Sequence, residues 1–453
     1  MASPASSPER ATPPRWLAAG LLALVTVLIY VPAMRGGFIW DDDKLLTENP
    51  AVKTIDGLYA IWFGNWPEDY IPLTLSSFWL EWHLWGLHAG GYHIVNVLLH
   101  AANAVLLWRV LKCLGVPGSW LAALLFAAHP VCAASVTWIA ERKNTLSMCF
   151  YLLSLGWFLR FDDLIHSPVQ NGASRRFLGF ALAAFFLALL AKSSVAVLPV
   201  VLLLFVWWRR GRVTRRDLDR CIPFFVLAVL MALVAVAVQS RAVQGGVGVI
   251  RDSLLVRLLG GARAVWFYLG KILLPTGLTM IYPRWEIDPR AAVSYLPALL
   301  LAGLFFVFWR RRKSWGRPFL FALVYFVVAL APALGIVDIA FFSNSRVADH
   351  LQYLALPGIV ALIAALARHK RLVAPALAAG MAAAVLAVLT CRHEKVLADG
   401  RTLWEDNYAK NPNSWKVCMN LSEVYLEEDK PEEAIKWKTR ADALLQATAG
   451  KPK

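Results

Sequence analysis

Charge is scarce in this sequence. Asp, Glu, Lys and Arg make up 17% of its 453 residues, against about a quarter in an ordinary soluble domain. Acidic residues are scarcer still, 30 against 46 basic ones. Cysteine is limited to six scattered positions (113, 132, 149, 221, 391 and 418) with no CxxC pair, which gives neither a zinc site nor a disulfide framework. No small-residue cleavage site follows the first apolar run, so that run reads as a retained span rather than a signal peptide. What the chain has in abundance is apolar surface: 58% hydrophobic residues and a mean hydropathy of +0.54. Several uninterrupted apolar stretches reach the roughly 20 residues needed to cross about 30 Å of hydrocarbon. The sequence predicts an all-α polytopic membrane protein.

The net charge of +16 would suggest nucleic acid in a soluble chain. Here the surplus lies entirely before residue 391, since the rest holds 11 basic and 11 acidic residues. Much of it forms short runs beside apolar stretches: Arg209, Arg210, Arg212, Arg215, Arg216 and Arg220; Arg310, Arg311, Arg312, Lys313 and Arg317; Arg368, Lys370 and Arg371. Such runs mark cytoplasmic loops, and no aromatic-interleaved basic face for nucleic acid is present.

These runs set the topology. Eleven crossings are expected, at about 16–34, 93–111, 119–138, 145–161, 177–191, 195–208, 221–239, 293–309, 318–337, 351–367 and 372–390. Residues 1–15 are expected to be a disordered cytoplasmic N-terminus, and 16–390 the transmembrane domain. The first outer loop, 35–92, carries eight acidic and three basic residues. The apolar but tribasic stretch 254–274 is expected to lie in the interface with its basic side chains snorkelling, within an outer loop at 241–290. The tail 391–453 falls outside the cytoplasm. Its segment at about 413–446 has the 34-residue spacing of one tetratricopeptide helix hairpin, which needs a neighbour to cover its apolar face.

Ionisable groups collect at the outer boundary. Asp41, Asp42 and Asp43 follow the first span; His129 ends the third; Glu141, Arg142 and Lys143 open the fourth; Lys192 sits in a hairpin turn; Arg346, Asp349 and His350 precede the tenth. Each has a dull account as a cap, a snorkelling cation or a local pair. Together they suit transfer from a membrane-bound phosphate-linked donor: cations hold the leaving phosphate, and an aspartate takes the proton of an attacking hydroxyl. A divalent ion held by Asp41, His129, Glu141 and Asp349 is the alternative, although none of these has a metal-ligand spacing. A transporter would show paired, Gly/Pro-broken midplane spans, which are missing.

Ordered blocks carry a resemblance over about residues 20–446: Phe38 to Asp42 after the first span, Pro72-Leu73-Thr74, GYHIVNVLLHAANAVLLW (91–108), FAAHPV and WIAERKN within 126–144, YLGK through Tyr282-Pro283, and ADHLQYLALPG (348–358), then tetratricopeptide-like sequence. The chain resembles the transmembrane and tetratricopeptide-repeat-containing glycosyltransferases of the GT-C superfamily. The resemblance implies a GT-C-like bundle with outer-face loop helices. It also implies inverting transfer of mannose or a similar hexose from a polyprenyl-phosphate donor to Ser or Thr of a translocated protein, with no required metal. The family's essential acidic residue falls on Asp41 or Asp42, with Asp41 the expected base. Arg142, Lys143, Lys192, Arg346 and His350 are the phosphate candidates, and His129, Glu141, Asp349 and Tyr282 supporting residues. Ile71, Cys132, Ala134 and Asn144 depart from the family pattern, which leaves a glycan or lipid acceptor, or a non-catalytic membrane scaffold, as alternatives. The Arg/Ala/Leu-rich usage points to a bacterial inner membrane with a periplasmic site and tail; in a eukaryote these would be lumenal in the ER.

Overall fold

The computed structural model describes residues 14–64, 69–166, 174–244, 252–336, 340–369 and 373–449. Among them every regular element is helical. Helix α1 (Arg15–Ile29) leads to a loop bearing α2 (Pro50–Lys53), α3 (Gly57–Phe63) and α4 (Pro72–Trp85). There follow α5 (Ala89–Cys113), α6 (Ser119–Ala127), α7 (Ala133–Thr137), α8 (Arg142–Ile165), α9 (Ser174–Ala191), α10 (Leu198–Arg210) and α11 (Arg215–Gln244). Then come α12 (Leu254–Leu273), α13 (Leu296–Arg310), α14 (Gly316–Leu330), α15 (Leu356–His369) and α16 (Val373–Val396). The tail is α17 (Gly400–Lys410), α18 (Trp415–Glu427) and α19 (Pro431–Ala449).

All eleven apolar stretches are helical where described, but the count of eleven spans does not follow. Seven helices are long and apolar enough to cross, and an eighth if the bent pair Ser119–Ala127 and Pro130–Thr137 is one span. Helix α1 and residues Leu356–Arg368 are shorter apolar helices, and α8 is not among those that qualify. The bent pair turns by 54°. Its cause is local: Pro130 lacks an N–H and cannot continue α6, while His129 is extended and its Nδ1 accepts from Val131 N. Arg15, expected within the N-terminal segment, opens α1; residues 1–13, like Lys370 and Arg371, lie outside the described residues.

Burial separates core helices from lipid-facing ones. Helices α5, α6, α8, α9, α10, α14 and α15 share one hydrophobic core. In α13 no residue of the apolar window is buried, and Leu299 and Phe306 are 67% and 66% exposed. Leaving such side chains in water forgoes about 1.5–3 kcal/mol each, so hydrocarbon must cover them. The protein is an integral, multi-pass membrane protein.

One end of the bundle is basic. There Arg209 donates to Cys113 O, Trp208 Nε1 to Leu114 O, and Arg317 to the carbonyls of Trp207 and Trp208. The first loop, the turn 138–143, Lys192 and the tail gather at the other end. Helix α12 buries the stripe Gly261, Ala264, Val265, Tyr268 and Ile272 and exposes Leu254, Leu255 and Leu258.

The tail packs directly on the first loop. Leu403, Trp404, Val417, Leu421 and Ala434 form one apolar cluster with Ile39, Ala133, Trp138, Met280 and Ile281. Hydrogen bonds to main-chain carbonyls reinforce it: Gly37 N donates to Ala398 O (2.9 Å), and Lys410 Nζ and Asn411 Nδ2 donate to Leu278 O and Ile281 O. Helices α18 and α19 form a hairpin whose turn puts Asp429 at φ 57°, a left-handed conformation that Asp tolerates.

Candidate active site

The loop that carries Asp41 is held in place by its neighbours. Trp40, immediately before it, has φ 50°, a region costly for a bulky residue and found where surrounding structure over-determines the backbone. The surroundings here are two indoles. Trp40 stacks on Trp138 at 4.9 Å between centroids and meets Trp404 edge-on at 5.2 Å. Asp42 fixes the next residue. Its side chain is fully buried, with Oδ2 accepting from Ile39 N (2.9 Å) and Oδ1 from Ala140 N (2.6 Å). Burial pushes its pKa well above the ordinary value, against the pull of those two N–H groups. Asp42 thereby ties the first loop to the turn that bears Glu141 and Lys143. Both of its oxygens are engaged and none of it meets solvent. Asp43 accepts from Thr47 Oγ within its own helical turn.

Glu141 is the centre of a charged group. It is 1% exposed. Its Oε1 lies 3.1 Å from Lys143 Nζ and its Oε2 3.5 Å from Lys192 Nζ. Asn144 Nδ2 also donates to Oε2, while Asn144 Oδ1 accepts from Lys192 Nζ at 2.7 Å. Burial works against the Glu141 carboxylate, but Lys143, Lys192 and His350 hold its pKa down to about 2. Burial likewise disfavours the Lys143 ammonium, yet Glu141, Asp69 and Asp41 outweigh it and keep the pKa above the usual lysine value. For Lys192 burial wins, and the pKa is lowered despite Glu141. Asp41, partly exposed, is thus electrostatically coupled to Lys143. The lysine side chains are 15% and 16% exposed, so neither is fully enclosed. Lys192 owes its place to a break in the chain: it is extended (φ −161°, ψ 125°) between α9 and the turn into α10, and Thr74 Oγ anchors that tip by donating to Ala191 O at 3.0 Å.

His350 joins this group. Its ring lies 5.4 Å from Trp138, Nδ1 is buried without a hydrogen-bond partner, and its carbonyl accepts from Asn144 Nδ2. Burial lowers its pKa to about 4, against the pull of Glu141.

The other expected residues lie elsewhere. Arg142 is fully buried and turned away from Glu141 and Lys143. It makes a two-point pair with Glu81 (2.5 and 3.1 Å) and donates to Tyr92 O (2.9 Å) and to Asn96 Oδ1. The structure thus places this expected phosphate candidate with its donors on protein acceptors. Arg346 pairs with Asp252 at 2.7 Å and donates to Trp285 O (3.1 Å), in a separate group with Arg284. Asp349 accepts from Tyr282 Oη (2.8 Å) and Thr279 N (3.1 Å), and burial raises its pKa to about 7 although Tyr282 and Lys271 oppose that. His129 Nε2 contacts Ile272 O at 3.0 Å. The four-residue metal arrangement of Asp41, His129, Glu141 and Asp349 is therefore not assembled, and no group of three potential ligands occurs among the described residues. Sequence reasoning missed Asp69, which shares the field around Lys143, and Glu81, the partner of Arg142. Proximity to Pro72-Leu73-Thr74 was the only signal for either.

No protein-family model matches the chain. Its relatives among curated proteins carry the name protein O-mannosyl-transferase: human TMTC4 is 28% identical over 192 residues, and mouse TMTC2 31% over 187. These alignments take in 37% and 38% of this chain, but 25% and 22% of the relatives, so the chain spans about a quarter of their length. The chain is similar to these transmembrane proteins, as its motifs implied. Two structures of ArnT from Cupriavidus metallidurans, bound to undecaprenyl phosphate and in the apo state, align over 95% of this chain and 75% of theirs. Identity is 15%, with TM-scores of 0.39 and 0.42.

Proposed function

We propose that the protein is a membrane glycosyltransferase that moves a sugar, mannose or a similar hexose, from a polyprenyl-phosphate donor to a hydroxyl acceptor with inversion. The observation that carries this reading is one carboxylate, Asp41, coupled to Lys143, which shares the Glu141 carboxylate with Lys192. The names of the sequence relatives agree with it. Asp41 accepts the proton of the acceptor hydroxyl as its oxygen bonds to the anomeric carbon. The bond from that carbon to the donor phosphate breaks, and its electron pair leaves with the polyprenyl phosphate. Lys143 and Lys192 stabilise the negative charge on that leaving group. Glu141 is not a base in this scheme: with a pKa near 2 it stays ionised and orients both amines. Ser or Thr of a translocated protein is the acceptor favoured by the relatives' names, with the site and tail on the non-cytoplasmic side and the basic loops inside.

The test is transfer by the purified chain from polyprenyl-phosphate mannose to a Ser/Thr-rich peptide, read by mass spectrometry, with anomeric configuration by NMR. Wild type should glycosylate the peptide with inversion, and Asp41→Asn should lose about 10²–10⁴-fold in rate while keeping its melting temperature. Full activity in Asp41→Asn, or retention of configuration, would sink the proposal.

A further inference from the structure

The basic end of the bundle holds a cavity of about 430 Å³, within the roughly 300–1,000 Å³ of typical ligand pockets. Helices α5, α8, α10, α14 and α15 wall it. Along α15 it runs from Pro357 to Leu366, nine residues or about 14 Å at 1.5 Å per residue, so it is a slot rather than a sphere. Its lining is almost wholly apolar, and two of its polar groups are already engaged: Tyr325 Oη donates to Leu354 O (3.0 Å), and Trp208 Nε1 to Leu114 O (3.3 Å). Trp315 and Leu366, both on its wall, are 54% and 49% exposed, so the slot opens sideways from the bundle.

A cation stands at this mouth. Arg317 lies 5.7 and 5.4 Å from the rings of Trp207 and Trp208 and is held there by their main-chain carbonyls. Its Nε is buried without a hydrogen-bond partner, and among the described residues no carboxylate forms an ion pair with it. The neighbouring run Arg310–Lys313 adds further positive charge, which the chemistry at Asp41 does not use. An apolar slot with an uncompensated guanidinium at its lip matches a lipid phosphate with a hydrocarbon chain below it, as basic pockets between membrane helices do elsewhere.

We propose that this slot binds one acyl chain of an anionic phospholipid whose phosphate sits on Arg317. The site is separate from the sugar-transfer site. A donor lipid seated here would hold its phosphate at the opposite end of the bundle from Asp41, where no sugar could reach the lysine pair.

The experiment is native mass spectrometry of the detergent-solubilised full chain titrated with dioleoylphosphatidylglycerol, dioleoylphosphatidylcholine or undecaprenyl phosphate. Wild type should retain phosphatidylglycerol over phosphatidylcholine by about fivefold, the worth of one arginine at a lipid surface. Arg317→Gln should erase that preference. Ala365→Trp, which fills the slot, should release both phospholipids. Melting temperature and monodisperse elution report folding, and if Ala365→Trp does not fold, the Arg317→Gln arm decides. Equal retention of the two phospholipids by wild type, or an unchanged preference in Arg317→Gln, overturns the proposal. So does tighter binding of undecaprenyl phosphate than phosphatidylglycerol that Ala365→Trp abolishes, since the slot would then belong to the donor's tail.

Discussion

Arg142 and Lys143 are adjacent in the chain and have opposite fates. Arg142 points into the protein, where Glu81, Asn96 and the Tyr92 carbonyl take its donors and leave none of it exposed. Lys143 is paired with Glu141 and keeps part of its side chain exposed. The first arrangement holds α4, α5 and α8 together; the second leaves a charge that is not fully enclosed. Position at the membrane boundary brings a cation to the right level, but the turn at 138–142 decides which face it serves.

That contrast can be broken experimentally. Arg142→Gln leaves the Glu81 carboxylate buried without its partner, and should cost about 3–5 kcal/mol of stability, seen as a lower melting temperature and poor yield whatever the substrate. Lys143→Gln should fold nearly as well as wild type and lose about 10²-fold in kcat, the loss typical of removing one stabilising donor. If the two variants exchange phenotypes, the division between structural and reacting cation is wrong. A smaller effect sharpens the line between the Glu141 and Asp349 carboxylates. Asp349 has its pKa raised to about 7 in the fold. A raised carboxyl pKa adds stability that is fully present below the unfolded value and is lost as pH rises through the folded one. Asp349→Asn should therefore flatten the decline in melting temperature between pH 4 and 7. Glu141, held near 2, contributes stability that is present above the ordinary carboxylate value and lost as pH falls from there through the folded one, so Glu141→Gln should leave the upper part of that interval, above about pH 5.5, unchanged.

Much of this was legible in the sequence. Apolar stretches and basic runs gave an all-helical membrane protein with Asp41, Glu141, Lys143 and Lys192 on one side. The span count was not legible, because Pro130 bends one stretch, and α1 and α15 are apolar yet short. Arg142 misled for a different reason: one-dimensional spacing carries no information about a carboxylate 61 residues earlier at Glu81. Arg346 was drawn off by Asp252, which lies 94 residues away in the sequence. Asp42 looked like a twin of Asp41, but its carboxylate is taken up by the Ile39 and Ala140 amides, the second supplied by a distant turn.

The indole stack that joins Trp40 to Trp404 also sets an order of events during synthesis. Trp138 and the Ala140 amide are made about a hundred residues after this loop, but Trp404 follows it by about 360, so the last of the contacts that hold Trp40 closes only once α17 has been synthesised.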